Sequence, residues 1–171
     1  LVIGVPDEEI MFVAPTLLNL VQCEIVVLGL SSGNADGLGA KRTVELTVAG
    51  DILGIPARNI EIVEHPKLQD GLHSEWDVGV VANAVCDHIR RNKIDVVLTF
   101  DANGVSGHAN HIATFEGVRS MFAQQPACCD QVVGSALCTT GLLRKYSSIL
   151  DVLFSSLSTH SSFFFSPRIN S

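Results

Sequence analysis

Short apolar runs alternate with longer segments of helical periodicity along most of the chain. The runs lack period-two alternation, which is typical of parallel strands covered on both faces. Such runs, together with turn residues, predict five strands at 1–4, 24–30, 60–64, 94–100 and 133–138. The segments between and after them predict helices at 9–21, 40–53, 77–92, 108–124 and 141–153. Repeated βα units predict an α/β fold, with a Rossmann-like, mostly parallel sheet and helices on both faces.

The pattern ends near residue 153. Residues 154–171 contain a serine-rich stretch and then an apolar triplet at 163–165, without any helical or strand period. We therefore predict one domain over 1–153, followed by an irregular tail over 154–171.

Composition narrows the class of protein. The chain has 171 residues, of which 47% are hydrophobic and 17% charged, as expected for a globular domain. A net charge of −7 argues against non-specific binding to nucleic acid. The apolar stretch 10–30 is interrupted by Pro15 and Glu24, which favours a helix followed by a strand over a membrane span. Five cysteines without CxxC spacing suggest mostly reduced core thiols.

Two histidines, His108 and His111, follow the fourth predicted strand. That strand ends in Asp101 and leads into the glycine-containing loop that precedes the pair. Ligands of open α/β sheets bind outside the carboxyl ends of the strands. The pair therefore predicts a metal site or a general acid–base site.

Three carboxylates, Asp7, Glu8 and Glu9, follow the first predicted strand. By themselves they fit an acidic first helical turn, stabilised by the helix dipole. The first and fourth strands of a parallel sheet can be neighbours, however, and these acids would then face His108 and His111. Carboxylates and imidazoles together suit a divalent metal such as Zn²⁺.

Other polar positions carry weaker signals. The loop 31–39 leads to Arg42 and is either an ordinary flexible loop or a cradle for an anionic group. It matches neither a Walker A nor a dinucleotide-binding motif. His65 ends the third strand and could reach the site, whereas His88, beside Asp87 and Arg90, is expected on the surface.

Several motifs, taken in order, resemble the PIG-L/LmbE-type zinc deacetylases, the family of N-acetylglucosaminyl-phosphatidylinositol de-N-acetylase. The resemblance covers residues 1 to about 153 and rests on their combination. The matching segments are 6–12, 14–16, 30–34, 53–56, 69–71, 99–101, 104–108 and 143–146, with Gly37, Arg42, Glu45, Leu46, Trp76, Asp77, Asn110 and His111.

The resemblance implies a division of chemical roles. Asp7 would be the general base that activates water, and His108 would stabilise the oxyanion or protonate the leaving amine. Glu8 and His111 would be ligands of Zn²⁺. Metal-assisted amide hydrolysis is coherent chemistry, because the metal polarises the carbonyl and a carboxylate takes the proton of the attacking water.

The resemblance also implies a substrate and a place of action. Arg42, Asp101 and Asn110 would bind substrate, and Asp101 could also support the metal ligands. The substrate would be the lipid N-acetylglucosaminyl-phosphatidylinositol, deacetylated in the second step of GPI-anchor biosynthesis. The reaction would take place at the cytoplasmic face of the endoplasmic reticulum membrane, with an anchor lying before Leu1.

Two positions depart from the family's pattern. Val5 stands where the family carries a zinc-binding histidine, and Glu8 replaces an aspartate. Because an isopropyl group cannot bind metal, we expect weakened zinc binding and reduced or absent catalysis. Three alternatives stay open: a catalytically inactive paralogue or splice form that binds substrate or a partner, a deacetylase of another glucosaminide, and a module that binds nucleotides or sugar phosphates.

Overall fold

The computed structural model describes residues 1–20, 22–71, 74–124, 126–139 and 164–165. Three parallel strands lie in the order β1 (Val2–Ile3), β2 (Val27–Gly29) and β3 (Ile60–Ile62). A second sheet has the order β4 (Val96–Phe100), β5 (Val133–Leu137) and β6 (Phe164–Phe165), in which β4 and β5 are parallel and β6 is antiparallel.

The helices are α1 (Ala14–Leu17), α2 (Gly39–Ile52), α3 (Val78–Asn92), α4 (Gly104–Gly107), α5 (Ala109–Gln124) and α6 (Pro126–Cys129). A π-helical turn, Glu9–Val13, leads into α1, and a 3-10 turn, Ala57–Asn59, precedes β3. Asp77 begins α3 by accepting hydrogen bonds from the backbone N–H groups of Gly79 and Val80.

The two sheets meet where β1 lies beside β4. The Thr99 hydroxyl donates a hydrogen bond to the Val2 carbonyl at 3.1 Å. This contact confirms that the first and fourth strands are neighbours. The loops after β1 and β4 therefore open at the same edge, where the sequence places its acids and its histidine pair.

Helices cover both faces of the sheet, as predicted. Val2 packs in one hydrophobic core with residues of α3 and α5, whereas its neighbour Ile3 packs in the other with residues of α1 and α2. Leu28 and Val27 divide between the two cores in the same way. Alternate strand residues thus bury opposite faces, which is why the sequence shows apolar runs without alternation.

Some boundaries differ from the prediction. The first helix ends at Leu17, and Pro15 lies in its first turn, where a missing N–H costs no helical hydrogen bond. The predicted helix 141–153 lies outside the described residues. Within the tail, Phe164–Phe165 pair with β5, so this segment adds a strand. The division at residue 153 stays a prediction.

Two further observations concern the cysteines and the question of a membrane span. Cys86 is disulfide-bonded, so the cysteines are not all reduced thiols. In the part of the chain that the structure describes, no helix combines the length and apolarity needed to cross a membrane.

Candidate active site

A buried ion pair between Glu8 and His111 lies at the shared edge of β1 and β4. Glu8 Oε1 is 2.7 Å from His111 Nε2, and both side chains are less than a tenth exposed. Glu8 Oε2 accepts a hydrogen bond from the backbone N–H of Gly4 at 2.7 Å. Glu9 is buried as well, whereas Asp7 is exposed, so two of the three acids after β1 are removed from solvent.

His111 is held from several sides. Its Nδ1 donates to the Gly104 carbonyl at 2.9 Å, so Nε2 faces Glu8. Its ring stacks on Phe100 with centroids 4.4 Å apart and meets the edge of Phe12 at 5.7 Å. Burial alone would lower the pKa of His111, but the hydrogen bond and charge of Glu8 outweigh it, and the pKa is raised.

Gly104 allows the loop to pass close to α5. Its φ is +54°, and a Cβ at this position would lie 2.9 Å from the Cβ of His111. Any side chain would strain the backbone and push the loop from the histidine. The next residue, Val105, also has a positive φ of 62°. Strained backbone of this kind persists only where neighbours hold it.

Asp101 provides that support. Its carboxylate accepts hydrogen bonds from the backbone N–H groups of Asn103 and Thr139 and from the Thr139 hydroxyl. The same hydroxyl accepts the N–H of Val105 at 3.0 Å. Burial raises the pKa of Asp101, but these hydrogen bonds outweigh it and the pKa is lowered. The structure thus gives Asp101 a positioning task in the loop, and a contact with substrate stays a prediction.

Asp7 lies beside the pair in an unusual backbone conformation. Its φ is +99°, which is strained for a residue other than glycine. Its N–H donates to the Glu9 carboxylate at 2.9 Å. Desolvation raises the pKa of Asp7. The Arg42 charge lowers this pKa and the Asp70 charge raises it, and the net result is a raised pKa. A raised pKa suits a carboxylate that must take up a proton.

His108 is partly exposed, and its ring centroid is 4.9 Å from that of His111. The backbone N–H of Asn110 points to His108 Nδ1 at 3.3 Å. With Nδ1 accepting, a neutral ring carries its proton on Nε2. His108 therefore has an N–H available to a ligand, whereas both ring nitrogens of His111 have partners.

Arg42 reaches the site from the first turn of α2. Its guanidinium passes so close to Gly33 that a Cβ there would lie 2.8 Å from Nη1. Gly33 has a φ of +71°, so glycine serves both the turn and this close approach. Arg42 interacts electrostatically with Asp7. The loop 31–39 thus brings a cation beside the candidate base.

Asn110 is fully buried, and its position makes it a link between two loops. Its side-chain N–H donates to Asp70 at 2.9 Å, while its Oδ1 has no hydrogen-bond partner among the described residues. The bond to Asp70 ties α5 to the loop before α3, close to Asp7. The expected contact between Asn110 and substrate stays a prediction.

Val5 supplies no metal ligand. Its buried side chain lies near Gly33, where a Cβ would be 3.4 Å away. Among the described residues, no three His, Cys, Asp or Glu side chains are grouped so that they could hold a metal ion. His65, the alternative ligand, accepts the backbone N–H of Lys67 in its own turn. The atoms that the described site offers to a metal are therefore Oε1 of Glu8 and Nε2 of His111, which face each other.

Sequence reasoning missed two parts of this region. Phe12 and Phe100 form the aromatic support of His111, and their spacing gives no hint of it. The surface assignment of His88 was wrong, since it is 4% exposed and bound to Glu61. Here a signal existed, because Val81, Val85 and His88 share one helical face.

Comparison with known proteins identifies the family of this chain. The sequence profile of the PIG-L family, described as GlcNAc-PI de-N-acetylase, matches residues 2–122. The chain belongs to this family. The matched range includes the carboxylates after β1, Arg42 and both site histidines. It is therefore consistent with the resemblance carried by the sequence motifs.

Curated relatives support membership of the GlcNAc-PI de-N-acetylase family. A probable N-acetylglucosaminyl-phosphatidylinositol de-N-acetylase of Schizosaccharomyces pombe is 42% identical, over 86% of this chain and 59% of that protein. The N-acetylglucosaminyl-phosphatidylinositol de-N-acetylase of Bos taurus is 38% identical, over 89% of this chain and 60% of its own length. The chain thus spans about three-fifths of the length of these relatives.

A solved structure shares the fold. It is N,N'-diacetylchitobiose deacetylase from Pyrococcus horikoshii in complex with an inhibitor, with a TM-score of 0.65 at 16% identity. The match covers 81% of this chain and 59% of that one. At this identity the likeness concerns the fold alone, and it confirms the α/β architecture of this chain.

Proposed function

We propose that this chain removes the N-acetyl group of N-acetylglucosaminyl-phosphatidylinositol by amide hydrolysis. The observation that carries the proposal is the grouping of Asp7, the Glu8–His111 pair and His108 at one edge of the sheet. A base, a cation-binding pair and a proton donor are the groups that hydrolysis of an unreactive amide requires.

A divalent metal such as Zn²⁺ would be held by Glu8 Oε1 and His111 Nε2. Oε1 fits this task because it is buried and has no other hydrogen-bond donor among the described residues. The Gly104 carbonyl fixes the tautomer that presents Nε2. When bound, the metal supplies Lewis-acid polarisation of the amide carbonyl and of water. With Val5 as neighbour, two protein ligands replace the three usual at a catalytic zinc site, so binding is weak.

The protein's own residues carry the proton transfers. Asp7 takes a proton from water as the water oxygen bonds to the acetyl carbon. His108 first donates a hydrogen bond from Nε2 to the oxyanion. It then takes a proton from solvent on Nδ1 and gives its Nε2 proton to the leaving nitrogen, while Asp7 returns to solvent the proton that it took from water. The C–N bond breaks, and acetate and a free amine result. Arg42, beside Asp7, binds the phosphate that links inositol to the lipid.

The place of action follows from the substrate in this proposal. A phosphatidylinositol lipid stays in a membrane, and the enzyme works at the cytoplasmic face of the endoplasmic reticulum. The names of the curated relatives support the lipid substrate.

An assay of acetate release tests the proposal. Purified protein is incubated with N-acetylglucosaminyl-phosphatidylinositol in mixed micelles, with and without added Zn²⁺. Hydrolysis that depends on Asp7, with N,N'-diacetylchitobiose cleaved far more slowly, is the expected result. Preference for the chitobiose would assign the chain to another glucosaminide.

Val5 favours a second candidate, a domain that binds the same glycolipid without hydrolysing it. In that case saturable binding of the lipid is measured while acetate release stays at the level of Asp7→Asn. Restoration of turnover by Val5→His would then show that the missing ligand causes the inactivity.

A further inference from the structure

A groove of about 440 Å³ begins at the candidate site and runs between the π-helical turn and α2. Asp7 and Arg42 line it, and both belong to the site described above. Its other walls include Ile10, Met11 and Leu38. The groove is thus continuous with the place where the acetyl group would react.

Large apolar side chains that face solvent line this groove or lie on the helix beside it. We call them the apolar rim: Ile10, Met11, Leu38, Val44, Val48 and Ile52. Their exposure runs from 44% for Leu38 to 78% for Ile52. Single exposed apolar residues are ordinary, but a cluster of them marks a surface that contacts a membrane or another protein.

The rim residues of α2 lie next to the α2 residues that line the groove. Lys41, Glu45 and Ala49 line the groove. Val44, Val48 and Ile52 each follow one of these residues by three positions, and residues three apart are neighbours on a helix. The three rim residues are also spaced by four, so they form one continuous stripe.

We propose that the apolar rim rests on the surface of a lipid bilayer and delivers the site to its substrate there. The inference rests on the proposed function and adds the surface that makes the contact. A substrate with its acyl chains in the bilayer presents its phosphate and then its sugar above the surface. Arg42 and Asp7 both line the groove beside the rim.

The charges of the chain favour contact with the apolar part of the membrane over attraction to anionic lipids. The chain has a net charge of −7, and the rim is accompanied by Lys41 and Arg42 but also by Glu45 and Asp51. Attraction to anionic lipids is therefore small. Contact rests on the apolar side chains, which enter the boundary between headgroups and acyl chains. Neutral phosphatidylcholine vesicles are accordingly sufficient for binding.

Co-sedimentation with phosphatidylcholine vesicles tests the inference without any catalysis. The double variant Val48→Gln/Ile52→Gln removes apolar surface without adding charge, and glutamine suits an exposed helix. We expect it to bind vesicles about tenfold more weakly than the native chain. The matched control is Val78→Gln/Val96→Gln, two exposed valines outside the rim, which leaves vesicle binding unchanged. Circular dichroism verifies that both variants fold.

Activity provides the second measurement. Val48→Gln/Ile52→Gln should slow hydrolysis of the lipid in vesicles while leaving the rate unchanged on the same headgroup without acyl chains. Native protein that binds vesicles but releases no acetate would contradict the proposed function and support membrane contact through the apolar rim. Equal vesicle binding by the native chain and the rim variant would overturn the inference. So would a native dimer that the rim variant loses, because a second copy would then cover this face.

Discussion

Two pairs of glutamate and histidine occupy different parts of this protein. Glu8 and His111 meet at 2.7 Å at the edge of the sheet, and Glu61 and His88 meet at 2.8 Å between β3 and α3. Their pairwise chemistry is nearly the same. Their histidines nevertheless shift in opposite directions, with the pKa of His111 raised and that of His88 lowered.

The neighbours of each pair explain the difference. Burial is the largest effect on His88 and lowers its pKa more than the hydrogen bond and charge of Glu61 raise it. Nearby positive charge, including that of Arg91, which binds Glu61 at 2.6 Å, lowers it further. Among the residues that the structure describes, no arginine binds Glu8, and the Asp7 charge adds to the effect of Glu8 on His111. The Glu61–His88 pair, with Arg91, is therefore a structural tie between strand and helix, whereas the Glu8–His111 pair lies at the candidate site.

Replacing the acid next to each pair is expected to give the largest difference in the rate of acetate release between the two regions. Asp7→Asn should reduce acetate release by about 10²–10⁴-fold, because an amide cannot accept the proton of the attacking water. Asp87→Asn is the matched control beside His88, and its rate should equal that of the native chain. Steady-state assays of both variants make the comparison. Comparable rates for the two would remove Asp7 from the mechanism.

Neutralising the glutamate of each pair separates their tasks. Glu8→Gln should lower the affinity for Zn²⁺ and the rate of hydrolysis by at least about 10–100-fold, since a carboxylate ligand is lost. Glu61→Gln should leave both within about twofold of the native values, because the pair lies away from the reacting groups. Zinc titration and acetate release measure the two effects. A similar loss in both variants would contradict the division between site and structural tie.

A third ligand should strengthen the site. Val5→His is expected to bind Zn²⁺ at least about tenfold more tightly than the native chain, and to release acetate faster. Competition with a zinc-binding dye, starting from metal-free protein, gives the affinity directly. Val44→His, at an exposed valine of α2, controls for adventitious binding by an added imidazole. Native protein that already holds one tight equivalent of zinc would refute the idea of an incomplete site.

The smallest effect concerns stability at the second pair. Burial raises the pKa of Glu61, but the hydrogen bonds and charges of Arg91 and His88 outweigh it, so its folded pKa lies below the ordinary value. Glu61 therefore stabilises the fold above the pKa of the unfolded chain, about 4.3, and loses this contribution as pH falls through the folded pKa.

Urea denaturation of Glu61→Gln measures this contribution. Near neutral pH the variant should be less stable than the native chain by about 1 kcal/mol. The difference should shrink as the pH drops below about 4. A constant difference across the acid range would mean that the loss comes from packing and not from charge.

The sequence by itself determined the layout of this protein. Apolar runs without alternation predicted buried parallel strands, and Val2 and Ile3 do bury opposite faces. The rule that sites lie at the carboxyl ends of strands placed the acids and the histidine pair at one edge. Motifs in order were enough to recognise the family, because they depend on residue identity and not on distances.

Tertiary structure alone decided how those residues are used. Asp101 was expected to bind substrate or to support the metal ligands, and only the fold revealed its hydrogen bonds to Thr139, which hold the loop that orients His111. The opposite pKa shifts of the two histidines depended on burial and on neighbours such as Arg91, which lies thirty positions from Glu61 in the chain and binds it in the fold. Hydrogen bonds and charge interactions act through space over a few ångströms, and only the folded chain determines which groups come that close.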